Sequence, residues 1–414
     1  MNLTLRKKKV SELSKTDLLK RAKLFIFSTG LNDGASRLCK KNMKYGLAQF
    51  HYIQEKYGMA SQASFISSPD ETISRNSFRW NSGLGYGGKL SWGNGKDKIV
   101  FLNAKPNCCG ILVGGLEEVP HPYEIIKKID EIKERDIYYR DILINWDYGI
   151  SNHFINCFET KNLSDYKLPP YIFLIHGSAP EFRNDQHGIG LYIDHSKTLK
   201  ERSIKEDTIL GSQYILLDSD AKEYMEFNYR AIEFSRKKRE LMASELFGPH
   251  YEVICNQQHQ FLKDYNTMYL GSNCTDVSSK LIDSNIFPIT LRADLPAYLF
   301  KGKKSFSDTT IRNLDYKERA ENLELIESLR NAFVLPHGGG YCLPDIKKVR
   351  EVLEYKDQRY FVCELKTNKN RLKILRNVKD LQFIYRGRNI VLKSLQLDLG
   401  SMIARLNPIY SLKL

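Results

Sequence analysis

Helical and strand-forming segments follow one another along this chain without regular alternation. Residues 80–115 are rich in glycine and strand formers, and Pro122 begins an amphipathic helical pattern. Strand signals return at 142–145 and at 171–175, and a long helical pattern covers 218–247. A doubly wound parallel sheet requires strands and helices in strict alternation, so this order disfavours that class. The order predicts an α+β fold in which mixed sheets pack against helices.

Weaker patterns predict further elements towards both ends of the chain. A basic helical segment is predicted around residues 18–27. Two more helices are predicted over 314–330 and 346–355, where apolar residues recur at helical spacing. The segments 388–399 and 403–414 have the composition of strands.

The composition is that of a globular protein with a sizeable core. Hydrophobic residues make up 42% and charged residues 27% of the 414 positions. These values exclude disorder, collagen-like repetition and coiled coil as descriptions of the whole chain. The longest purely apolar stretches, such as 171–175, are far shorter than the ~18 residues that a membrane-spanning helix requires. We therefore expect no membrane partner.

Basic residues outnumber acidic ones by 63 to 49, which gives a formal net charge of +14. Such an excess favours polyanionic partners, chiefly nucleic acid or nucleotides, because each neutralised phosphate releases a counterion. The alternative is that the charge only maintains solubility. The basic run from Arg236 to Arg239 is either a solvated helix face or a track for RNA.

The eight cysteines are scattered and include no CxxC pair, so a disulfide framework is not expected. The first residues are basic but lack the apolar centre of a signal peptide. We therefore expect a cytoplasmic protein with reduced thiols, which are then available as metal ligands.

Five short segments combine residues that bind metals or carry out catalysis with small or amide residues. They are Asn107–Gly110, Asn152–Phe154, Ile175–Ser178, Cys255–Asn256 and His337–Gly340. Thiolates and imidazoles are ligands that transition metals prefer. We therefore predict a metal site formed by Cys109, His153, His176 and Cys255. The alternative at each position is an ordinary buried histidine or cysteine, because nothing in the spacing requires the four side chains to converge.

The segment that begins at His337 is a candidate catalytic loop. Consecutive glycines allow backbone N–H groups to approach an anion closely, so Gly338 and Gly339 are predicted to contact phosphate. A neutral imidazole beside them is a competent nucleophile towards phosphorus. The alternative is a glycine-rich turn with an incidental histidine. An esterase oxyanion loop is excluded, because the chain has no GxSxG nucleophile elbow.

Taken in order, these segments resemble the RtcB-type RNA ligases, the GTP-dependent enzymes of RNA splicing and repair. That family has the blocks D-x-x-C-G, G-N-H-F, I-H-S-G-S-R-G, Y-D-x-x-H-N and H-G-A-G-R, and a lysine at its C-terminus. The corresponding segments here are PNCCG at 106–110, SNHF at 151–154, IHGSA at 175–179, YEVICN at 251–256, HGGGY at 337–341 and ARLNPIYSLKL at 404–414.

The resemblance implies a fold, a set of domains and a set of roles. Residues 76–414 would form one RtcB-like catalytic domain with a central metal and nucleotide cleft, preceded by a basic segment over 1–75 that matches the family weakly. His337 would be the nucleophile that takes GMP from GTP. The nucleotide would be contacted by side chains from three further segments, which are Asn152, Tyr385 and Lys413.

Two departures from the family pattern change the expected metal. The family aspartate three residues before the metal cysteine is Pro106, and the family histidine of the Y-D-x-x-H-N block is Cys255. Together with Cys109, His153 and His176, a second thiolate makes a softer ligand set than the family has. Zn²⁺ is therefore an expected alternative to the Mn²⁺ that the family uses.

Further departures affect the recognition of phosphate and guanine. Asn156 stands where the family has an acidic residue, and Pro180 and Tyr341 stand where it has arginines. Either Arg183 or Arg292 could replace one of the lost arginines.

Three functions remain open at this stage. The first is an RNA ligase that joins a 3′-phosphate or 2′,3′-cyclic phosphate end to a 5′-hydroxyl end through a histidine-GMP intermediate, with an activating protein as an additional partner. The second is a ligase-inactive relative that binds RNA ends or nucleotide, and the third is a metal-dependent phosphoesterase on RNA ends. Retention of Asn152, His337 and Lys413 favours the first function. Loss of the aspartate and the arginines favours the other two.

Overall fold

The computed structural model describes residues 8–149, 152–356, 358–366, 371–379 and 381–413. Within these residues the chain forms ten α-helices. In chain order they are α1 (Lys15–Leu24), α2 (Gly34–Lys56), α3 (Ser77–Asn81), α4 (Pro122–Lys133), α5 (Lys197–Arg202), α6 (Asp218–Phe247), α7 (Asp308–Asn313), α8 (Lys317–Asn322), α9 (Ile326–Arg330) and α10 (Asn389–Gln396). No helix in this part of the chain combines the length and the apolar composition that crossing a bilayer requires.

The strands range from two to thirteen residues in length. In chain order they are β1 (Ile26–Phe27), β2 (Ser64–Thr72), β3 (Tyr86–Ser91), β4 (Ile99–Phe101), β5 (Cys109–Leu116), β6 (Tyr138–Tyr139), β7 (Ile142–Leu143), β8 (Phe154–Asn162), β9 (Tyr171–Gly177), β10 (Ile204–Thr208), β11 (Gly211–Leu217), β12 (Glu252–Asp264), β13 (Thr267–Leu270), β14 (Ser272–Cys274), β15 (Ile286–Ile289), β16 (Ala297–Gly302), β17 (Val334–Pro336), β18 (Tyr341–Cys342), β19 (Ile346–Tyr355), β20 (Gln358–Leu365), β21 (Leu372–Leu375), β22 (Ile384–Tyr385) and β23 (Gly400–Leu412).

One large sheet of eleven strands organises the fold. Its order is β1-β2-β3-β13-β12-β5-β9-β8-β23-β16-β15. The first pair, β1 and β2, is parallel, and the pairs at the centre of the sheet are antiparallel. Strands that are distant in sequence, such as β8 and β23, are therefore neighbours in space. This mixed sheet with packed helices confirms the predicted α+β class.

Side chains of the central strands alternate between two apolar layers, as the two-residue period of a strand requires. On β5, Ile111 and Val113 belong to one layer and Leu112 belongs to the other. Helix α6 covers the second layer with Met242 and Leu246. The centre of the sheet is thus buried on both faces, which gives its strand ends fixed positions.

Residues 8–75 belong to the same core as the rest of the described chain. Strand β2 pairs with β3 inside the large sheet. Leu18 of α1 and Phe50 of α2 lie in the same apolar cluster as Leu397, close to the C-terminus. The described parts of the segment assigned to residues 1–75 and of the domain assigned to 76–414 therefore share one sheet and one core.

Several predicted elements are confirmed. The helix from Pro122 is α4, and the long helix over 218–247 is α6. The strand at 171–175 is part of β9, and the segment 403–414 lies mostly in β23. The basic helix expected around 18–27 is α1, which ends at Leu24.

The helix predicted over 346–355 is wrong, because this segment is strand β19. Its apolar residues recur every three positions, which imitates a helix. In the structure, β19 pairs with β20 through irregularities between Ile346 and Lys348 and between Val349 and Glu351. Each irregularity adds one residue to β19, so residues three apart point to the same face of the strand.

Two other predictions differ from the structure. The strand predicted over 388–399 is helix α10, in which Ile390, Val391 and Ser394 share the buried face. The single helix predicted over 314–330 is divided into short helices, because Asp315 and Glu324 adopt positive φ angles of 54° and 59°. Such angles end an α-helix.

Arg386 connects the C-terminal region to the start of α2. Its guanidinium donates to both carboxylate oxygens of Asp33 at 2.6 and 2.8 Å. It also donates to the carbonyl oxygens of Asp70 and Glu71 at 3.2 and 2.9 Å. The Arg386 side chain is buried, so these bonds replace its hydration.

Replacing Arg386 tests how much this connection stabilises the fold. Arg386→Met should lower the free energy of unfolding by about 3 kcal/mol, because it leaves a partly buried carboxylate without its partner. Urea denaturation followed by circular dichroism measures the change. The matched control is Arg135→Met, which breaks an exposed pair with Glu245 and should cost ~0–1 kcal/mol. Equal losses in the two variants would contradict a stabilising role for Arg386.

Candidate functional site

Three neighbouring strands bring Cys109, His153 and His176 together. Cys109 begins β5, His176 lies near the end of β9, and His153 immediately precedes β8. Antiparallel pairing sets Ile111 opposite His176 and His176 opposite Phe154. The ligand atoms of the three side chains lie within 4.8 Å of one another, and all three residues are buried.

The imidazoles are oriented so that both Nε2 atoms face the sulfur. The Cys109 Sγ lies 3.5 Å from Nε2 of His153 and 2.9 Å from Nε2 of His176. Each Nδ1 is occupied by a backbone carbonyl, that of Asp147 for His153 at 3.1 Å and that of Asn152 for His176 at 3.0 Å. Thiolate and imidazole ligands of one tetrahedral Zn²⁺ lie about 3.5 Å apart. The donor set therefore fits a transition metal.

A buried network of charged side chains contacts the Nδ1 side of the His153 ring, opposite the nitrogen that faces Cys109. The Asp147 carboxylate lies 3.0 Å from Nδ1 of His153. The Lys238 ammonium, which is fully buried, lies 2.9 Å from Asp147 and 3.0 Å from Glu181. Burial would raise the pKa of Asp147, but Lys238 and His153 outweigh burial and lower it. Asp147 is therefore ionised and fixes the orientation of the ring, as outer partners of metal-binding histidines do.

The same network keeps His153 protonated when no metal is bound. Burial opposes the charged ring, but Cys109 and Asp147 raise the pKa of His153 to about 10. His176 differs, because burial and the neighbouring histidines 153 and 337 lower its pKa well below the ordinary value. A metal cation would therefore displace a proton from His153, and it would meet an already neutral His176.

Sequence reasoning missed a further histidine at this site. His259 on β12 is buried, and its ring centre lies 5.1 Å from that of His176 and 4.4 Å from that of His337. Its Nδ1 has no hydrogen-bond partner among the residues that the structure describes. Burial and the two other imidazoles lower the pKa of His259 well below its ordinary value. His259 therefore adjoins the Cys109–His153–His176 group, but its ring nitrogens are not among the ligand atoms that lie within 4.8 Å of one another.

Cys255 lies outside the group, which corrects its assignment as a ligand. It pairs with Val113, four residues along β5 from Cys109. At ~3.3 Å per residue this separation is about 13 Å, too far for one metal to bridge. Cys255 instead packs in an apolar layer with Ile111 and Leu174. His259 lies four residues after Cys255 on β12, so the two-residue period of a strand places both side chains on the same face. No other feature of the sequence points to His259.

The His337 imidazole is held by a carboxylate from the N-terminal region. Nδ1 of His337 lies 2.9 Å from Oδ2 of Asp70, which also accepts the backbone N–H of His337 at 3.3 Å. The other oxygen of Asp70 accepts the hydroxyl of Ser68 at 2.5 Å. With Nδ1 donating to Asp70, the Nε2 atom of His337 carries the lone pair. No sequence motif pointed to Asp70.

The glycines after His337 allow the loop to pass close to other backbone segments. Gly340 has a φ of 62°, and a Cβ there would meet the carbonyl oxygen of Asp70 at 2.5 Å. A Cβ at Gly339 would meet the carbonyl oxygen of Arg386 at 2.5 Å. Larger residues would therefore displace His337 from Asp70.

A cavity of about 350 Å³ joins these groups. It is lined by His153, His176 and His337 and by the three predicted nucleotide contacts Asn152, Tyr385 and Lys413. Gly338 and Gly339 also line it. The structure thus brings together every predicted nucleotide contact, the predicted nucleophile and two of the predicted metal ligands in one cavity, with Cys109 behind the two histidines.

Residues at the departures from the family pattern also line this cavity. Asn156 accepts the hydroxyl of Ser411 at 2.6 Å, and Tyr341 pairs with Tyr385 across β18 and β22. Arg292 lines the cavity and is paired with Asp294 at 2.7 Å. Of the two arginines that could replace a lost one, Arg292 lines the cavity and Arg183 does not.

The basic run from Arg236 to Arg239 does not form a track for RNA. Lys238 and Arg239 are fully buried on the inner side of α6. Arg239 donates to Asn256 at 2.8 Å, and Arg236 donates to Gln258 at 2.9 Å. Only Lys237 of this run lies on the outer face of the helix, so the run serves mainly to bind α6 to β12.

No model of a known protein family matches the chain, and no curated protein sequence matches it either. The resemblance to RtcB-type ligases therefore depends on the short motifs quoted above.

Removing the sulfur of Cys109 tests whether the Cys109–His153–His176 group binds a metal. Cys109→Ala should lower the metal content of protein purified without added metal, because both Nε2 atoms face this sulfur. Inductively coupled plasma mass spectrometry measures the content. Cys255→Ala is the matched control, since it removes a buried thiol outside the group, and its metal content should be unchanged. Equal metal content in Cys109→Ala and the parent protein would overturn this ligand assignment.

Neutralising Asp147 tests whether its carboxylate orients the His153 ring for metal binding. Asp147→Asn should weaken Zn²⁺ binding about 10–100-fold, because the ring loses the carboxylate that orients it. Competition with a chelating dye measures the affinity. Asp141→Asn, at an exposed carboxylate, is the control and should bind Zn²⁺ as the parent protein does. Unaltered affinity in Asp147→Asn would show that the backbone carbonyl alone orients His153.

Proposed function

We propose that this chain is an RNA ligase that joins an RNA 3′-phosphate or 2′,3′-cyclic phosphate end to a 5′-hydroxyl end through a guanylylated histidine. The observation that carries the proposal is the Asp70–His337 hydrogen bond beside the Cys109–His153–His176 group. A nucleophilic imidazole and a metal-binding group open into one cavity.

The nucleophile has the features that attack on phosphorus requires. Asp70 holds the proton on Nδ1 of His337, so Nε2 is available to attack the α-phosphorus of GTP and release pyrophosphate. The carboxylate also stabilises the positive charge that develops on the ring as the N–P bond forms. The adjacent backbone of Gly338 and Gly339 can approach phosphate oxygens without side-chain interference.

The remaining steps follow from the chemistry of a phosphoramidate. Its N–P bond breaks when the RNA 3′-phosphate attacks, which transfers GMP to the RNA end and restores His337. The 5′-hydroxyl of the second RNA then attacks the activated phosphate, and GMP leaves as the new phosphodiester forms. A cyclic phosphate is first opened by water.

A metal ion held by the Cys109–His153–His176 group would assist these steps. The residues that would hold a divalent ion are Cys109, His153 and His176. When bound, such an ion would neutralise phosphate charge as a Lewis acid. One thiolate and two imidazoles suit Zn²⁺ better than Mn²⁺, which prefers oxygen ligands.

Other lining residues support the binding of a nucleotide. Tyr385 offers an aromatic face, and Lys413 at the end of β23 offers a cation in the same cavity. Asn152 lies in the turn before His153, where its side chain can donate to a phosphate or ribose oxygen. A phosphoesterase would need only the metal group, so the Asp70–His337 pair favours the ligase over that alternative.

Intact-mass spectrometry tests the first step directly. After incubation with GTP and either Mn²⁺ or Zn²⁺, the protein should gain the mass of one GMP. His337→Ala should abolish the gain. Asp70→Asn should slow adduct formation by about 10²-fold or more, because it disturbs the tautomer of the ring.

The control for this experiment is His195→Ala, which removes an exposed histidine outside the cavity and should leave the adduct unchanged. Absence of any adduct with every divalent metal would rule out the histidine-GMP mechanism. An adduct with ATP in place of GTP would keep the nucleophile but reject guanine as the base.

A further inference from the structure

A second cavity, separate from that of His337, is lined by cations. Its volume is about 580 Å³, and it lies where α1, β1, α2, α8 and β19 meet. Seven of its ten lining residues are basic, and none is acidic. The basic residues are Lys23, Arg37, Lys40, Lys41, Lys44, Arg319 and Lys348. We call it the basic cavity.

Among the described residues, no carboxylate forms an ion pair with a cation of the basic cavity. The ammonium of Lys40 donates to the neutral amide of Asn32 at 3.2 Å. The guanidinium of Arg319 lies over the rings of Phe27 and Tyr316, at 4.4 and 4.8 Å from their centres. Several cations elsewhere on the described surface pair with carboxylates, as Arg202 does with Asp220.

Helix α2 arranges four of the cations in one line. Arg37, Lys40, Lys41 and Lys44 are spaced by three, one and three residues, so they share one face of the helix. At 1.5 Å per residue the line is about 10 Å long. Like charges at such spacings repel each other. Burial, with Lys41 and Lys23 nearby, lowers the pKa of Lys44. A polyanion in the cavity would relieve this repulsion.

The basic cavity begins close to the catalytic loop. Asp33, which caps the start of α2, is paired with Arg386. The backbone N–H of Arg386 donates to the carbonyl oxygen of Gly340 at 3.2 Å, three residues after His337. Arg37 lies only one turn of α2 beyond Asp33. The line of cations and the His337 loop are thus joined through one short run of hydrogen-bonded residues.

We propose that the basic cavity binds the phosphodiester backbone of the RNA whose end is held at His337. Four of the seven cations follow the axis of α2 over about 10 Å, and a line of this length suits consecutive phosphates better than one compact anion. The floor of the cavity includes Ile26, Tyr316 and Val349, which offer apolar and aromatic surface to a base or ribose. This inference rests on the proposed function for its substrate.

Fluorescence anisotropy with a labelled single-stranded RNA that carries a 3′-phosphate tests the proposal. Lys40→Gln/Lys44→Gln should weaken binding about tenfold or more at low salt. The slope of log K against log salt should fall by about 1.4, because each phosphate contact on a single strand contributes ~0.7. Lys96→Gln/Lys200→Gln removes the same charge at two exposed lysines outside the cavity and is the matched control.

The histidine-GMP adduct is measured on the same variant, so that the two proposals can fail independently. Loss of RNA affinity with normal adduct formation supports the basic cavity as an RNA site. Loss of affinity in a protein that forms no adduct supports it as well and rejects only the ligase mechanism. Affinity and salt slope that match the control overturn the inference. It is equally overturned if the variant loses binding to phosphatidylserine vesicles but keeps its RNA affinity.

Discussion

The register of three antiparallel strands is the constraint on which the candidate site depends. Pairing of β5 with β9 and of β9 with β8 sets Cys109, His153 and His176 side by side at the strand ends. Buried layers on both faces of the sheet keep these ends in position. A shift by one residue would turn each side chain to the opposite face. The geometry of the Cys109–His153–His176 group is therefore set by the backbone hydrogen bonds that pair these three strands.

Buried carboxylates orient the imidazole rings that the strand register brings together. Lys238 is removed from water and stabilised by two carboxylates, and one of these, Asp147, fixes His153. A similar contact fixes the candidate nucleophile, because Asp70 occupies one nitrogen of His337 and leaves the other available. In both cases a carboxylate acts through an imidazole without facing the cavity. Polar groups of this kind cost free energy to bury unless they are fully paired, and here the pairing also serves to orient rings.

Helix α2 connects the candidate functional site with the basic cavity. Its start is tied to the candidate catalytic loop through Asp33 and Arg386, while one of its faces carries the line of cations. Seven basic residues are thus gathered around one cavity. The basic run on α6, which is denser in sequence, is mostly buried and holds α6 against the sheet. Local charge density along a sequence therefore does not locate a polyanion surface.

The sequence by itself determined the α+β class, the amphipathic helices α4 and α6, and the residue types of the site, including His337 and the pair His153 and His176. These follow from local patterns, because periodicity and ligand chemistry are properties of short segments. Only the tertiary structure decided that His259 and not Cys255 adjoins the metal group, that Asp70 holds His337, and that residues 346–355 form a strand. Strand register, bulges and contacts between segments hundreds of residues apart depend on how the whole sheet packs, and no short stretch of sequence encodes them.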